Sequence, residues 1–174
     1  EGLDLNANKE IYVSSGDDTD NPGVLYKVDP LTGNITDNLG PICFEYQGQK
    51  SCGTEISAIS FNPKGGLWGW SEECGLVKVK ITDPSNSTLV FPYATDDFEA
   101  CVSNDPRARR KYSSHIEDLT WDSTGEVVYI ANGGDVEKYT VTESGGIVTA
   151  AFVESYPVCG NVETAEMLPE VVLL

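Results

Sequence analysis

Ser57-Ala58-Ile59-Ser60-Phe61-Asn62, then Pro63-Lys64-Gly65, then Leu67-Trp68-Gly69-Trp70-Ser71 reads as one strand folded back on another across a tight turn. Ile59 and Phe61 alternate with small or polar neighbours, the period of two that buries one face of a strand. Proline presets φ and glycine supplies a positive φ, so the segment between the strands turns sharply. The first six residues recur without gaps as Glu1-Gly2-Leu3-Asp4-Leu5-Asn6, Glu117-Asp118-Leu119-Thr120-Trp121-Asp122 and Glu163-Thr164-Ala165-Glu166-Met167-Leu168. Starts at 1, 57, 117 and 163 give offsets of 56, 60 and 46 residues, each with apolar third and fifth positions.

Second strands follow at Glu10–Ser14 and Val127–Ala131, matching Leu67–Ser71, and third strands at Val24–Val28, Leu76–Ile81 and Val136–Val141. The third strands run into Asp29-Pro30-Leu31-Thr32-Gly33, Asp83-Pro84-Ser85-Asn86 and Glu143-Ser144-Gly145-Gly146, turn chemistry that predicts hairpins. Fourth strands are expected at Asn34–Asn38, Thr88–Pro92 and Ile147–Val153. No helical apolar period of useful length competes with these. Repeated four-stranded antiparallel units of this size are the blades of a β-propeller. The fold expected is therefore all-β: three complete blades at 1–40, 56–94 and 116–154, and the start of a fourth at 162–174. Segments 41–55, 95–115 and 155–161 are expected to be inserted loops. Closed propellers use about 4–8 blades, so the count predicts completion by further chain or by another copy.

Composition excludes several functions. Eleven Lys and Arg stand against 28 Asp and Glu, a net charge of −17. Nucleic-acid binding needs a basic face that displaces counterions from phosphates, and this chain cannot supply one. Apolar residues make up 40%, enough for a packed core. No apolar run reaches the roughly 18–20 residues of a membrane-spanning helix. Glu1-Gly2-Leu3-Asp4 lacks the basic and apolar regions of a signal peptide, while five cysteines suit an oxidising compartment. An extracellular protein whose leader has been removed is expected. The sequons Asn34-Ile35-Thr36 and Asn86-Ser87-Thr88 permit glycosylation at Asn34 and Asn86.

The segments Glu1-Gly2-Leu3-Asp4-Leu5-Asn6 and Leu25-Tyr26-Lys27-Val28-Asp29-Pro30-Leu31-Thr32-Gly33 resemble the "EGLxxD" and "LYKVDPxTG" wording of bacterial-type secreted β-propeller repeats. The resemblance covers three units and the start of a fourth. It implies that first strands line a central axis. Loops between strands two and three and between blades then emerge on one face, and tight turns on the other. The loop face so defined holds Cys43, Cys52, Cys74, Cys101 and Cys159, the lone His115, and the basic run Arg107-Ala108-Arg109-Arg110-Lys111.

Candidate sites fall on that face or along the axis. Cys43 with Cys52, and Cys74 with Cys101, are the expected disulfides, which leaves Cys159 unpaired or linked to a partner. Gly16-Asp17-Asp18-Thr19-Asp20-Asn21-Pro22-Gly23 gathers Asp17, Asp18, Asp20 and Asn21, oxygen ligands of the kind Ca²⁺ takes, without the spacing of an EF-hand. Glu1, Glu117 and Glu163 share one repeat position, with Ser57 at the fourth. Propeller lactonases that depend on calcium hold their metal at a similar Glu-Gly. Only Glu1-Gly2 keeps that dipeptide here. Arg107, Arg109, Arg110 and Lys111 suit an acidic protein partner or another copy. His115 has no Ser or Cys partner in a recognisable motif, and Trp68, Trp70 and Trp121 fall in strands, where core packing is expected. The function expected is a non-catalytic binding or assembly module acting through the loop face. The alternative is a calcium-dependent, lactonase-like or esterase-like hydrolase using axial carboxylates.

Overall fold

The computed structural model describes residues 2–16, 19–92 and 116–158. Three antiparallel four-stranded meanders make up most of it. The first blade runs β1 (Leu3–Leu5), β2 (Ile11–Ser14), β3 (Val24–Val28) and β4 (Ile35–Pro41). A separate hairpin follows, β5 (Cys43–Tyr46) and β6 (Gln49–Cys52). The second blade is β7 (Ile56–Phe61), β8 (Leu67–Ser71), β9 (Gly75–Val79) and β10 (Thr88–Pro92). The third is β11 (Ile116–Trp121), β12 (Val127–Asn132), β13 (Asp135–Ser144) and β14 (Ile147–Pro157). First strands β1, β7 and β11 lie side by side, as strands around a propeller axis do.

Two segments differ from the loops expected. Residues 41–55 contain β5 and β6, paired from Cys43↔Cys52 to Tyr46↔Gln49. Gln47 (φ 49) and Gly48 (φ 79) turn this hairpin, the left-handed pair that a two-residue loop requires. The segment expected to loop from 155 stays in strand through Pro157, because β14 follows the long β13 from Ile147↔Ser144 to Pro157↔Asp135.

The sixth position of the repeat proves to be a turn device in the three described blades. Asn6 Oδ1 accepts the backbone N–H of Asn8 and Glu10, each at 3.0 Å, and Asn62 Oδ1 accepts that of Gly66 at 2.9 Å. Asp122 Oδ1 accepts the N–H groups of Glu126 and Val127 at 3.1 Å, and the Thr124 hydroxyl donates to Oδ2 at 2.7 Å. A short side-chain acceptor thus satisfies the donors that the bend takes out of the ladder. Burial pushes the Asp122 carboxyl up, but the Thr124 hydroxyl and the N–H groups of Val127, Glu126 and Gly125 outweigh it, and the group ends below the ordinary Asp value. The stabilisation is therefore complete above the unfolded-state value and disappears as pH falls through the lowered folded value. Asp122→Ala should cost roughly 1–2 kcal/mol near neutrality in denaturant titrations. That deficit should shrink in acid, and a pH-independent deficit would assign the effect to packing instead.

Two hydrophobic layers fill the gaps between blades. Tyr12, Leu25, Ile59, Leu67, Val77 and Val79 pack blade one onto blade two, together with Ile42 and Phe44 of the hairpin segment. Ala58, Trp68, Trp70 and Leu76 pack blade two onto Leu119, Trp121, Val128, Ile130 and Tyr139 of blade three. Alternation along β8 accounts for this: Leu67 faces one neighbour while Trp68 and Trp70 face the other, and the whole strand is buried. All three tryptophans are core residues, as expected.

Candidate functional site

The Cys43–Cys52 disulfide is formed, with the two Cα atoms 4.4 Å apart at the base of the hairpin. The hairpin is not a free loop. It wedges against β10 and the 3-10 turn Pro84–Asn86 of blade two. Ile42 and Phe44 are fully buried beneath it, and the Ser87 N–H donates to the Cys43 carbonyl at 2.9 Å. Ring closure by the disulfide stiffens this wedge. Cys74 is also buried and disulfide-bonded. Since Cys43 and Cys52 bond each other, its partner lies outside the described residues. Cys101 and Cys159, and with them the pairing expected for Cys74, lie there too.

Next to the disulfide a cleft of about 620 Å³ opens. Its walls are Asp20 and Asn21 of the acidic loop, Tyr26 and Asn38 of blade one, and Cys52 at the hairpin base. Local structure fixes this loop: the Ser15 hydroxyl donates to the Asn21 carbonyl at 2.7 Å and accepts the Val24 N–H at 2.9 Å. Gly23 donates to the Ser15 carbonyl at 2.9 Å, and its own carbonyl accepts the Ile42 N–H at 2.8 Å. Among the described residues, the lining holds a carboxylate, two side-chain amides and a phenol, with no cationic side chain. Such a surface hydrogen-bonds neutral or cationic ligands and repels anions.

A second recess of about 300 Å³ lies between Phe44, Glu45 and Lys50 of the hairpin and the stretch from Ser85 to Leu89. It contains the sequon residue Asn86, which is exposed and donates its side-chain amide to Asp83 at 2.6 Å. Asn34, in the other sequon, is exposed after the Asp29–Gly33 turn.

At the axial position, β7 and β11 carry the same irregularity. Their register with the second strand slips between Ile56 and Ala58, and between Ile116 and Asp118. Ser57 and Glu117 are the bulged residues, and a bulge re-aims its side chain. Ser57 is buried and Glu117 exposed. Among the described residues, no three His, Cys, Asp or Glu side chains gather as metal ligands. Glu1, Asp17, Asp18 and Glu163 of the expected calcium ligands lie outside the described residues, as do Arg107, Arg109, Arg110, Lys111 and His115.

Sequence reasoning missed two features. Glu73 is a buried carboxylate between β8 and β9, beside Cys74. Glu137 is buried as well, accepting the Asn132 amide at 2.8 Å and the Tyr139 hydroxyl. Nothing in a single repeat of the sequence marks either one.

No protein-family model matches the chain, and no curated protein matches it by sequence. Solved structures do resemble it. Hsv2 of Kluyveromyces lactis superimposes with a TM-score of 0.53 at 11% identity, covering 90% of this chain and 47% of its own. The periplasmic gluconolactonase PpgL of Pseudomonas aeruginosa gives 0.52 at 10% identity, covering 91% of this chain and 42% of its own. Both are propeller proteins, and the likeness establishes the fold: this chain is a set of propeller blades. It spans less than half the length of either. Among the described residues, no helix is long and apolar enough to cross a membrane.

Proposed function

We propose that the chain is a non-catalytic binding or assembly module of an extracellular propeller, and that its binding site is the cleft beside the Cys43–Cys52 disulfide. The observation that carries this reading is the cleft itself: about 620 Å³, walled by a cross-linked hairpin, with a tyrosine and side-chain amides converging on it. Pockets of this volume on rigid scaffolds are the usual places for ligands. A lining of amides, a phenol and one carboxylate favours neutral or cationic hydrogen-bonding ligands. Disulfide pairing of Cys74 with Cys101, glycosylation at Asn34 and Asn86, and partner docking at Arg107, Arg109, Arg110 and Lys111 belong to the same proposal. A second reading, a calcium-dependent hydrolase, draws support from the bulges that set Ser57 and Glu117 at the axial position. The gluconolactonase PpgL, a protein of similar fold, points the same way.

One titration separates the two. Labelled protein is followed by NMR against neutral saccharides, short neutral peptides and Ca²⁺. The binding reading expects shifts centred on Asp20, Tyr26 and Asn38, weakened at least tenfold in affinity by Tyr26→Ala. Shifts centred on Ser57 and Glu117 with Ca²⁺, together with lactone turnover abolished by a chelator, would overturn it in favour of the hydrolase.

A further inference from the structure

The recess between the hairpin and blade two is walled by described residues from the middle of the chain, and a sequon residue lies in it. Asn86 ends the 3-10 turn Pro84–Asn86, which local hydrogen bonds hold in one shape. The Asn86 N–H donates to the Asp83 carbonyl at 3.0 Å, its side-chain amide to Asp83 Oδ2 at 2.6 Å, and the Ser85 hydroxyl to Asp83 Oδ1 at 2.8 Å. One residue on, the Ser87 hydroxyl donates to the Pro84 carbonyl at 2.8 Å and accepts the Lys80 N–H at 3.1 Å. The Ser87 N–H reaches the Cys43 carbonyl, so the turn that carries Asn86 and the hairpin beside it are fixed to each other. Thr88, the third residue of the sequon, is exposed at the start of β10. A side chain anchored in this way leaves a group attached to it few directions to take.

The opposite wall suits one class of occupant. Glu45 and Lys50 are register partners across the hairpin, both exposed, and neither forms an ion pair among the described residues. Together they offer an acceptor and a donor with no net charge. Ser85 adds a hydroxyl, while Phe44 and Leu89 add apolar lining. A sugar ring, neutral, with hydroxyls at its edge and C–H groups on its face, matches that mixture. The volume of about 300 Å³ stands at the low end of ligand pockets, which suits one small ring better than an extended chain. Asn34 differs: it is exposed, and neither this recess nor the cleft includes it.

We infer that Asn86 carries an N-linked sugar whose first ring is seated in this recess and braces the hairpin against blade two. The inference rests on the glycosylation proposed above and adds where the sugar sits and what it does. Transfer comes from an oligosaccharide linked to a polyprenyl diphosphate. The Asn86 amide nitrogen bonds to the anomeric carbon, the bond from that carbon to the diphosphate oxygen breaks, and an amide proton and the polyprenyl diphosphate leave. One N–H stays on the nitrogen, so donation to Asp83 continues to orient the stem.

The test uses the 174-residue chain secreted from a eukaryotic host and treated, folded, with an amidase that hydrolyses the glycosyl-asparagine bond. The enzyme leaves aspartate wherever it releases a sugar, so peptide mapping scores both sequons in one sample. Release at Asn86 is expected to be roughly tenfold slower than at Asn34, because the seated ring must first leave its recess. In denatured protein the two rates should converge. Glu45→Ala combined with Lys50→Ala, at exposed positions, should speed release at Asn86 and leave Asn34 unchanged. Amide exchange in β5 and β6 should be about threefold slower with Asn86 occupied than in Asn86→Gln. Equal release rates in the folded protein, a difference that survives the double substitution, or exchange indifferent to the sugar would overturn the seating alone. A secreted chain bare at Asn86 would overturn the seating and the glycosylation reading together.

Discussion

Trp68→Ala is expected to destabilise the protein by about 3–5 kcal/mol, a large part of the roughly 5–15 kcal/mol that holds a typical domain together. Trp68 is completely buried at the centre of blade two, with its ring centroid 5.0 Å from that of Trp121 in blade three. The Lys78 ammonium lies 5.6 Å from the same ring and pairs with Glu143 of β13 at 2.7 Å. Truncation therefore removes an indole from the interface, opens a cavity, and takes away the ring beneath the cation that ties the two blades together. The loss should appear as a lower urea midpoint. Hydrogen exchange should accelerate in β11 and β12 as well as in β8, because the cavity borders both blades. A loss below about 1 kcal/mol, well under the usual cost of such a truncation, would show that the interface collapses to fill the space. Exchange changes limited to blade two would show the same. Conservative Trp68→Phe should recover about half of the loss, since its smaller ring retains an aromatic contact with Trp121 but not the full volume.

The blades were legible because period-two alternation and turn residues are local properties, and four copies of one pattern multiply a weak signal. Strands β2, β3, β8 and β10 match the expected segments within a residue at each end. The hairpin β5–β6 is not evident in the sequence, although Phe44 and Tyr46 alternate ahead of Gln47-Gly48. Two cysteines ten positions apart by inclusive count suggest a clamped loop, and glutamine at a left-handed position is a poor turn signal. The cleft was legible only in part. Asp20 and Asn21 stand out as an acidic loop, but Tyr26 and Asn38 sit in adjacent strands and meet that loop only through register. Exposure of Leu3 and Leu5 is likewise invisible, since their repeat position reads as core in every unit. It is the absence of a described blade beside them that leaves them open.

Gly23→Ala tests whether the cleft depends on that register, and it is expected to be the most damaging single-methyl change near the site. Gly23 has φ +68, a backbone conformation that costs an L residue roughly 1–2 kcal/mol. An added Cβ would also collide with the Thr54 carbonyl oxygen, and backbone cannot move aside as a flexible side chain can. Overpacking of this kind adds about 1–3 kcal/mol, so roughly 2–5 kcal/mol is expected in total. The strain falls where three segments meet: the acidic loop through Ser15, the hairpin segment through Ile42, and the approach to β7 at Thr54. If the chain escapes the clash by moving the loop outward, Asp20 and Asn21 leave the cleft wall and ligand affinity falls with stability. Gly53→Ala is the informative comparison, because Gly53 has the same φ of +68 and lines the same cleft, yet its added Cβ would meet only the Pro22 oxygen at 4.0 Å. Backbone strain alone should therefore cost Gly53→Ala about 1–2 kcal/mol, with binding largely retained. Equal losses in the two variants would mean that conformational strain, and not the close approach of Gly23 to Thr54, sets the shape of the cleft.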